Sequence, residues 1–348
     1  MEGIGMYVPI AIAALILQAG MQGSGAASES VQSGYLVVYG VKTVTPTLTL
    51  EEGRKRGRAS GDIPKVHVTR LFSVDPSSGK ETLIFSDETL PLMILNRDGG
   101  GETALYGIVA TDPSRRKAIA LAGVRPAAGE GPNPAPSLYE LSLDGSNAAR
   151  KISDVEALVV FAVSRDGEEI AYFRYRPNRV VVRSTRFGKI SREINLEGRE
   201  FAGLPRLSWS PDGSAVLIPR WPGPGHETEY DLAHIPEARI EKTEIRGNVY
   251  SFLPKSDRVL GVRLTYDKSN ASPLRQFFSM ALSGRDAVNL LLPQCRESWH
   301  AEVSPDERLI AFPCNQGIVI GALATGDEKK SEREVPVGRA EVIGWIAR

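Results

Sequence analysis

Residues Leu207 to Pro219 read LSWSPDGSAVLIP. An apolar strand runs into Ser210-Pro211-Asp212-Gly213, the chain reverses, and a second apolar strand leaves. The reversal has a chemical cause. Pro presets φ, Asp can bond its own backbone, and Gly accepts positive φ without a Cβ clash. The plan recurs at Phe161 to Phe173 (FAVSRDGEEIAYF) and Ala301 to Pro313 (AEVSPDERLIAFP), and more weakly at Tyr250 to Val262 and Ile108 to Leu121. With Pro211 as register mark, the equivalents are Pro113, Arg165, Pro254 and Pro305, and successive marks are 52, 46, 43 and 51 residues apart.

A second hairpin follows the first in each unit. Leu71 to Leu83, Leu138 to Ile152, Val180 to Ile194, Phe277 to Leu290 and Ile318 to Val335 each give a strand, a Gly-containing turn and a more charged strand. Four strands per period of about 40 to 50 residues mark a β-propeller blade. The chain ends on Ala340 to Arg348 (AEVIGWIAR), with Trp345 in the place of Trp209 and Ala347 in that of Pro211, 42 residues after Pro305. Tyr35 to Tyr39 (YLVVY) is a strand without a predecessor. Joining the two ends completes a further blade and removes an open sheet edge. The expected fold class is therefore all-β: a six-bladed β-propeller of four-stranded antiparallel blades, closed by pairing of the C-terminal strand with the N-terminal strand.

These residues resemble the TolB-like, WD-repeat-related propellers of exported bacterial proteins. Trp209-Ser210-Pro211-Asp212-Gly213, Ser304-Pro305-Asp306 and Ser164-Arg165-Asp166-Gly167 fit the first-hairpin motif of that family, and Leu71-Phe72-Ser73-Val74-Asp75 with Gly79 fits the second. The blades marked by Pro113 and Pro254 are degenerate, and the Gly-His and Trp-Asp pairs of WD repeats proper are not in this sequence. The resemblance implies the fold and a partner-binding platform. Its motif residues make turns and pack blades, so they imply no chemistry.

Composition agrees with a globular chain. The sequence has 348 residues, 42 Lys plus Arg against 42 Asp plus Glu, 42% hydrophobic and 24% charged residues. Such a balance excludes disorder and a polytopic membrane protein. A net charge of zero argues against nucleic acid as a partner, because phosphate affinity scales with the cations presented. Tyr7 to Leu17 (YVPIAIAALIL) is apolar over 11 residues, whereas crossing a bilayer takes roughly 20. The run is the length of a signal-peptide core, and Ser24 to Ala27 supply small residues for cleavage. Against this stands an n-region with Glu2 and no Lys or Arg, and a buried strand or helix is the alternative. The expected organisation is a cleaved signal peptide at 1–27, a short linker at 28–33 and one propeller domain at 34–348. An exported protein, periplasmic or extracellular, monomeric and without a retained membrane span, follows from it.

In a blade, the connections between second and third strands share one side with those between blades. Here several of them are long: Val41 to Lys65, Gly123 to Pro136, Pro219 to Glu229 and Thr265 to Gln276. Long loops on one side of a rigid scaffold are where binding resides. They lean basic, with Arg54, Arg56 and Arg58 in the first, and Arg174 and Arg176 around Tyr175 in a shorter one. With Trp221 and His226, these are the candidate binding residues for an acidic protein, a glycan or an envelope component. The alternative is a solvated charge run. No catalytic or metal-ligating set is identified: the four histidines lack metal spacing, and there is no Gly-x-Ser-x-Gly elbow, P-loop or dinucleotide fingerprint. No cofactor is expected. Cys295 and Cys314 fall close enough across one hairpin to form a disulfide if the protein is exported. The competing reading is a propeller-class hydrolase or lactonase with a site at the tunnel mouth. It requires Asp, Glu, Asn or His converging from the innermost strands, which offer Leu207, Phe161, Val303 and Trp345, with Glu302 and His300 as exceptions.

Overall fold

A computed structural model describes residues 34–46, 55, 65–94, 108–124, 136–154, 161–175, 178–196, 207–224, 226–265, 274–290, 301–314, 317–323, 332–336 and 341–348. The expected signal peptide and linker lie outside the described residues. Twenty-five described strands form six sheets, each one blade. Blade I is assembled from both ends of the chain: β25 (Glu341–Ala347) is innermost, followed outward by β1 (Tyr35–Pro46), β2 (Lys65–Val74) and β3 (Glu81–Ser86). Blade II runs from β5 (Ile108–Asp112) through β6 (Lys117–Val124) and β7 (Ser137–Ser142) to β8 (Ala149–Asp154). Blade III holds β9 (Phe161–Val163), β10 (Glu169–Tyr175), β11 (Asn178–Ser184) and β12 (Ile190–Asn195). Blade IV holds β13 (Ser208–Trp209), β14 (Ala215–Arg220), β15 (Glu229–His234) and β16 (Arg239–Arg246). Blade V holds β17 (Asn248–Phe252), β18 (Arg258–Thr265), β19 (Leu274–Ala281) and β20 (Val288–Asn289). Blade VI holds β21 (Glu302–Val303), β22 (Leu309–Cys314), β23 (Gly317–Ala322) and β24 (Glu332–Pro336).

The ring closes as the sequence leads one to expect. β1 pairs antiparallel with β25 from Tyr35 opposite Ala347 to Gly40 opposite Glu341, and Val37 faces Trp345. The equivalence of Trp345 and Trp209 is physical. Trp209 donates its indole N–H to the Ala162 carbonyl of blade III at 3.1 Å, and Trp345 donates to the Glu302 carbonyl of blade VI at the same distance. Each indole thus reaches back to the innermost strand of the preceding blade.

Packing explains why the second strand of each blade reads as a continuous apolar run. Blades stack face to face, so both faces of a strand are covered and alternate residues serve opposite neighbours. In β6, Ala118, Ala120 and Ala122 pack with Ile84, Phe85 and Ile346 of blade I, while Ile119 and Leu121 pack with Ile170 and Tyr172 of blade III. In β1, Val38 joins the cluster shared with blade II and Val37 the one shared with blade VI. Each of the six boundaries between neighbouring blades holds one such cluster.

The turn motif does its work through its serine. Ser210 Oγ donates to Asp212 at 2.6 Å and accepts from Ala215 N at 2.9 Å, while Gly213 N bonds the Ser210 carbonyl. Ser164 and Ser304 repeat the arrangement with Asp166 and Glu169 N, and with Asp306 and Leu309 N. Gly167 has φ near +70°, and a Cβ there would enter the space of the Asp112 carboxylate of blade II. Glycine is required at this point by conformation and by the close approach of the neighbouring blade.

Three features depart from the expectation. β1 and β2 continue to Pro46 and from Lys65, so the long connection begins five residues later than Val41. Blade II carries an additional short strand, β4 (Leu92–Ile94), on the same edge of β6 as β5. The second hairpin of blade IV, β15 with β16, escapes the repeat search because β16 (RIEKTEIR) is charged along most of its length. Removing 341–348 opens the ring and should abolish a single cooperative urea transition, and Trp345→Ala should cost about 3–5 kcal/mol. Deleting several residues within 47–64 should cost less than about 1 kcal/mol, because loop-closure entropy changes slowly with length.

Candidate functional site

The side carrying the long connections is marked by an arm. β1 and β2 pair without interruption over 10 rungs, from Val37↔Val74 to Pro46↔Lys65. β25 leaves β1 at Gly40, and β3 leaves β2 at Arg70. Five rungs, Lys42↔Thr69 to Pro46↔Lys65, therefore extend past the four-stranded part of blade I. At about 3.3 Å per residue this carries the end of the hairpin on the order of 15 Å beyond the sheet. Alternation of Thr and Val along VKTVTP and KVHVTR suits a two-stranded ribbon, since β-branched residues favour extended backbone.

The root of the arm is fastened. Asp87 is buried and accepts from Thr69 N at 2.8 Å and Ile94 N at 3.1 Å, tying β2 to β4. Lys42 is only 7% exposed. Burial lowers its pKa, and the nearby carboxylates of Asp87 and Glu341 oppose that shift. The stretch that holds Arg54, Arg56 and Arg58 begins and ends at the tip of this arm. The three arginines lie outside the described residues.

Described charges beside the connections of blades III and IV are paired. Arg174 contacts Glu193 at 3.2 Å, and Arg179 contacts the same carboxylate, so the two guanidiniums flanking Tyr175 and Arg176 share one anion. The side chains of Tyr175 and Arg176 lie outside the described part. In blade IV, Arg220 pairs with Glu229 and lies 3.3 Å from the buried Asp231, and Arg246 meets Glu229 at 3.3 Å. Trp221, next along the chain, is 40% exposed, and His226 is exposed in the same connection. The structure thus brings Trp221 and His226 into one loop beside an Arg–carboxylate network. Arg174 belongs to a different blade. Cys314 is disulfide-bonded, and Cys295, the other cysteine of the sequence, lies outside the described residues.

A second concave feature lies on the axis. The innermost strands enclose a cavity of about 210 Å³ that touches all six blades. Phe161, Leu207, Val303 and Trp345, expected on these strands, line it together with Glu302. His300 lies outside the described residues. Four hydroxyls of the wall are tied into the scaffold. The hydroxyls of Ser164 and Ser210 serve their turns, and Ser208 Oγ accepts from Phe252 N at 2.8 Å. Thr111 Oγ1 bonds both the N–H and the carbonyl of Trp345 at 3.1 Å. Among the described residues no group of three His, Cys, Asp or Glu is placed to hold a metal. No helix there is long and apolar enough to cross a membrane.

No protein-family profile and no curated protein matches the sequence. Among solved structures, TolB from Acinetobacter baumannii superimposes with a TM-score of 0.55 at 10% identity, over 90% of this chain and 67% of that chain. A nidogen/laminin complex gives 0.48 at 10% identity, over 89% of this chain and 97% of that one. An oligogalacturonate lyase in complex with manganese gives 0.45 at 12%, over 78% and 71%. At such identities the likeness establishes architecture, and the chain has the six-bladed fold of TolB-like propellers.

The serine-centred turns favour an ionised carboxylate. The hydrogen bond from Ser210, then those from Ser214, hold Asp212 below the usual carboxylate range. A depressed folded-state pKa gives stability that is present above the unfolded value and lost as pH falls through the folded one. Ser210→Ala should therefore destabilise the protein near neutral pH, and the gap from wild type should narrow as urea melts are taken from about pH 6 to about pH 2.5.

Proposed function

We propose that this protein is an exported, non-catalytic binding scaffold that presents its long-loop side to an acidic protein, glycan or envelope component. The observation that carries the reading is the two-stranded arm of blade I. It is a paired hairpin with its root anchored by Asp87, and in the sequence the basic stretch Arg54 to Arg58 falls in the segment that joins its two strands. A cluster of cations in that connection steers the approach of an acidic partner. Trp221 on blade IV adds an exposed indole suited to stacking on a sugar or a cation. TolB-like architecture is in keeping with a role in binding partners.

The hydrolase or lactonase reading would require ionisable or hydroxyl groups left over for a substrate. Ser164, Ser208, Ser210 and Thr111 of the wall instead serve turns and strands, both indoles hold neighbouring blades, and the ionisable lining residues Arg165 and Glu302 belong to no cluster of three His, Cys, Asp or Glu among the described residues. Export rests on the apolar run Tyr7 to Leu17 and on the disulfide at Cys314, for which Cys295 is the partner in this reading. An oxidising compartment, periplasmic or extracellular, permits such a bond.

Two measurements test the proposal. Arg54→Glu, Arg56→Glu and Arg58→Glu together should leave the thermal melt unchanged and remove salt-sensitive retention of the protein on envelope material. Unchanged retention would discard the arm as the binding element. Mass spectrometry of the exported fraction should find a mature chain beginning near Ala27. An intact amino terminus confined to the cytoplasm would discard export.

A further inference from the structure

The five register marks that open the first-hairpin turns are Pro113, Arg165, Pro211, Pro254 and Pro305, and all five line the axial cavity. Four are proline, whose fixed φ suits that turn position. The fifth gives up this advantage for a guanidinium. Arg165 is the second residue after β9 in blade III, and its Nη1 donates to the Pro254 carbonyl of blade V at 2.5 Å. It therefore reaches past blade IV and across the turn-side mouth of the tunnel. Arg115, on the same side of the disc, is held by Glu168 and Asp112. Arg165 contacts no carboxylate among the described residues, and the Pro254 carbonyl is the one acceptor found for it there. A guanidinium carries five N–H donors in a planar fork that matches a carboxylate.

We propose that the turn-side mouth of the tunnel is a second binding site, taking a small organic carboxylate with an aromatic or apolar body whose acid group pairs with Arg165. Size sets the limit: about 210 Å³ equals about seven water volumes, room for on the order of ten non-hydrogen atoms. The walls set the body. Phe161, Trp209, Tyr250 and Phe252 are among the lining residues, and the hydroxyls of Ser164, Ser208 and Ser210 are engaged in the scaffold. Charge sets the direction. Glu302 opens β21 toward the long-loop end of the tunnel, whereas Arg165 stands at the turn end, so an acid group is drawn to one end and repelled from the other. This site is on the opposite side of the disc from the arm, and it stands or falls independently of the scaffold reading.

The test uses the full chain with phenylacetate as probe and phenylacetamide as its neutral match, followed by calorimetry. Saturable binding of one phenylacetate per chain is expected, at least about tenfold tighter than the amide, because a hydrogen bond to a charged partner is worth about that ratio or more. Arg165→Pro restores the Ser-Pro-Asp-Gly sequence found at Ser210 to Gly213, so it should keep the wild-type melt and weaken phenylacetate about tenfold or more. Should that variant melt early, Arg165→Gln supplies the same comparison. The proposal is overturned if the amide binds as well as the acid, or if a folded Arg165 variant binds the acid unchanged. It is equally overturned if wild type gives no saturable phenylacetate binding. Arg165-dependent capture of a short peptide ending in Asp or Glu, without phenylacetate binding, would replace the small acid with a protein tail.

Discussion

Every other part of this structure depends on the pairing of β25 with β1. A row of blades has two open ends, each with an apolar face and an unpaired strand edge. Bringing Trp345 opposite Val37 removes both at once, because the last strand of the chain becomes the innermost strand of the first blade. The pairing is reinforced across the blade boundaries. Trp345 gives its indole proton to the Glu302 carbonyl on one side, and its backbone is bridged by Thr111 Oγ1 on the other. Ala347 N bonds the Pro113 carbonyl of blade II. Closure is thus a contact among three blades, and the axial cavity exists only because it holds.

Much of this architecture is legible locally. A serine that both donates to an Asp two residues on and accepts from the backbone five residues on leaves a sequence signature, so blades III, IV and VI declare themselves. Blades II and V lack that serine and look degenerate. In blade II, Asp112 substitutes by accepting from Ser114 and Arg115, and in blade V the backbone pair of Leu253 with Arg258 suffices. The extra strand β4 spans three residues, too few for a periodicity to show. The arm was readable in principle. VKTVTP and KVHVTR are both rich in β-branched residues, but two prolines and a basic, Gly-containing stretch make the whole segment look like a loop.

The functional features follow a different logic. Arg165 is visible in the sequence as the one charged residue in a column made up otherwise of prolines and Ala347. Its reach to a carbonyl 89 residues away is not, because that contact passes over blade IV at the rim of a hole that exists only in three dimensions. Arg174 looks like an available cation from its neighbours in sequence, yet its partner Glu193 lies on the outermost strand β12, two strands away and 19 residues on. In both cases the residue type is legible and its partner is set by tertiary neighbours.

One consequence of closure concerns the covalent connectivity of the chain. Arg348 N bonds the Gly34 carbonyl at 3.1 Å, so the two ends of the described propeller lie side by side. A short linker could splice them, and new termini could then be opened at a surface connection such as the one between β14 and β15, giving a circularly permuted protein. In that permuted chain blade I would form from consecutive residues, and the seam of the disc would pass to blade IV.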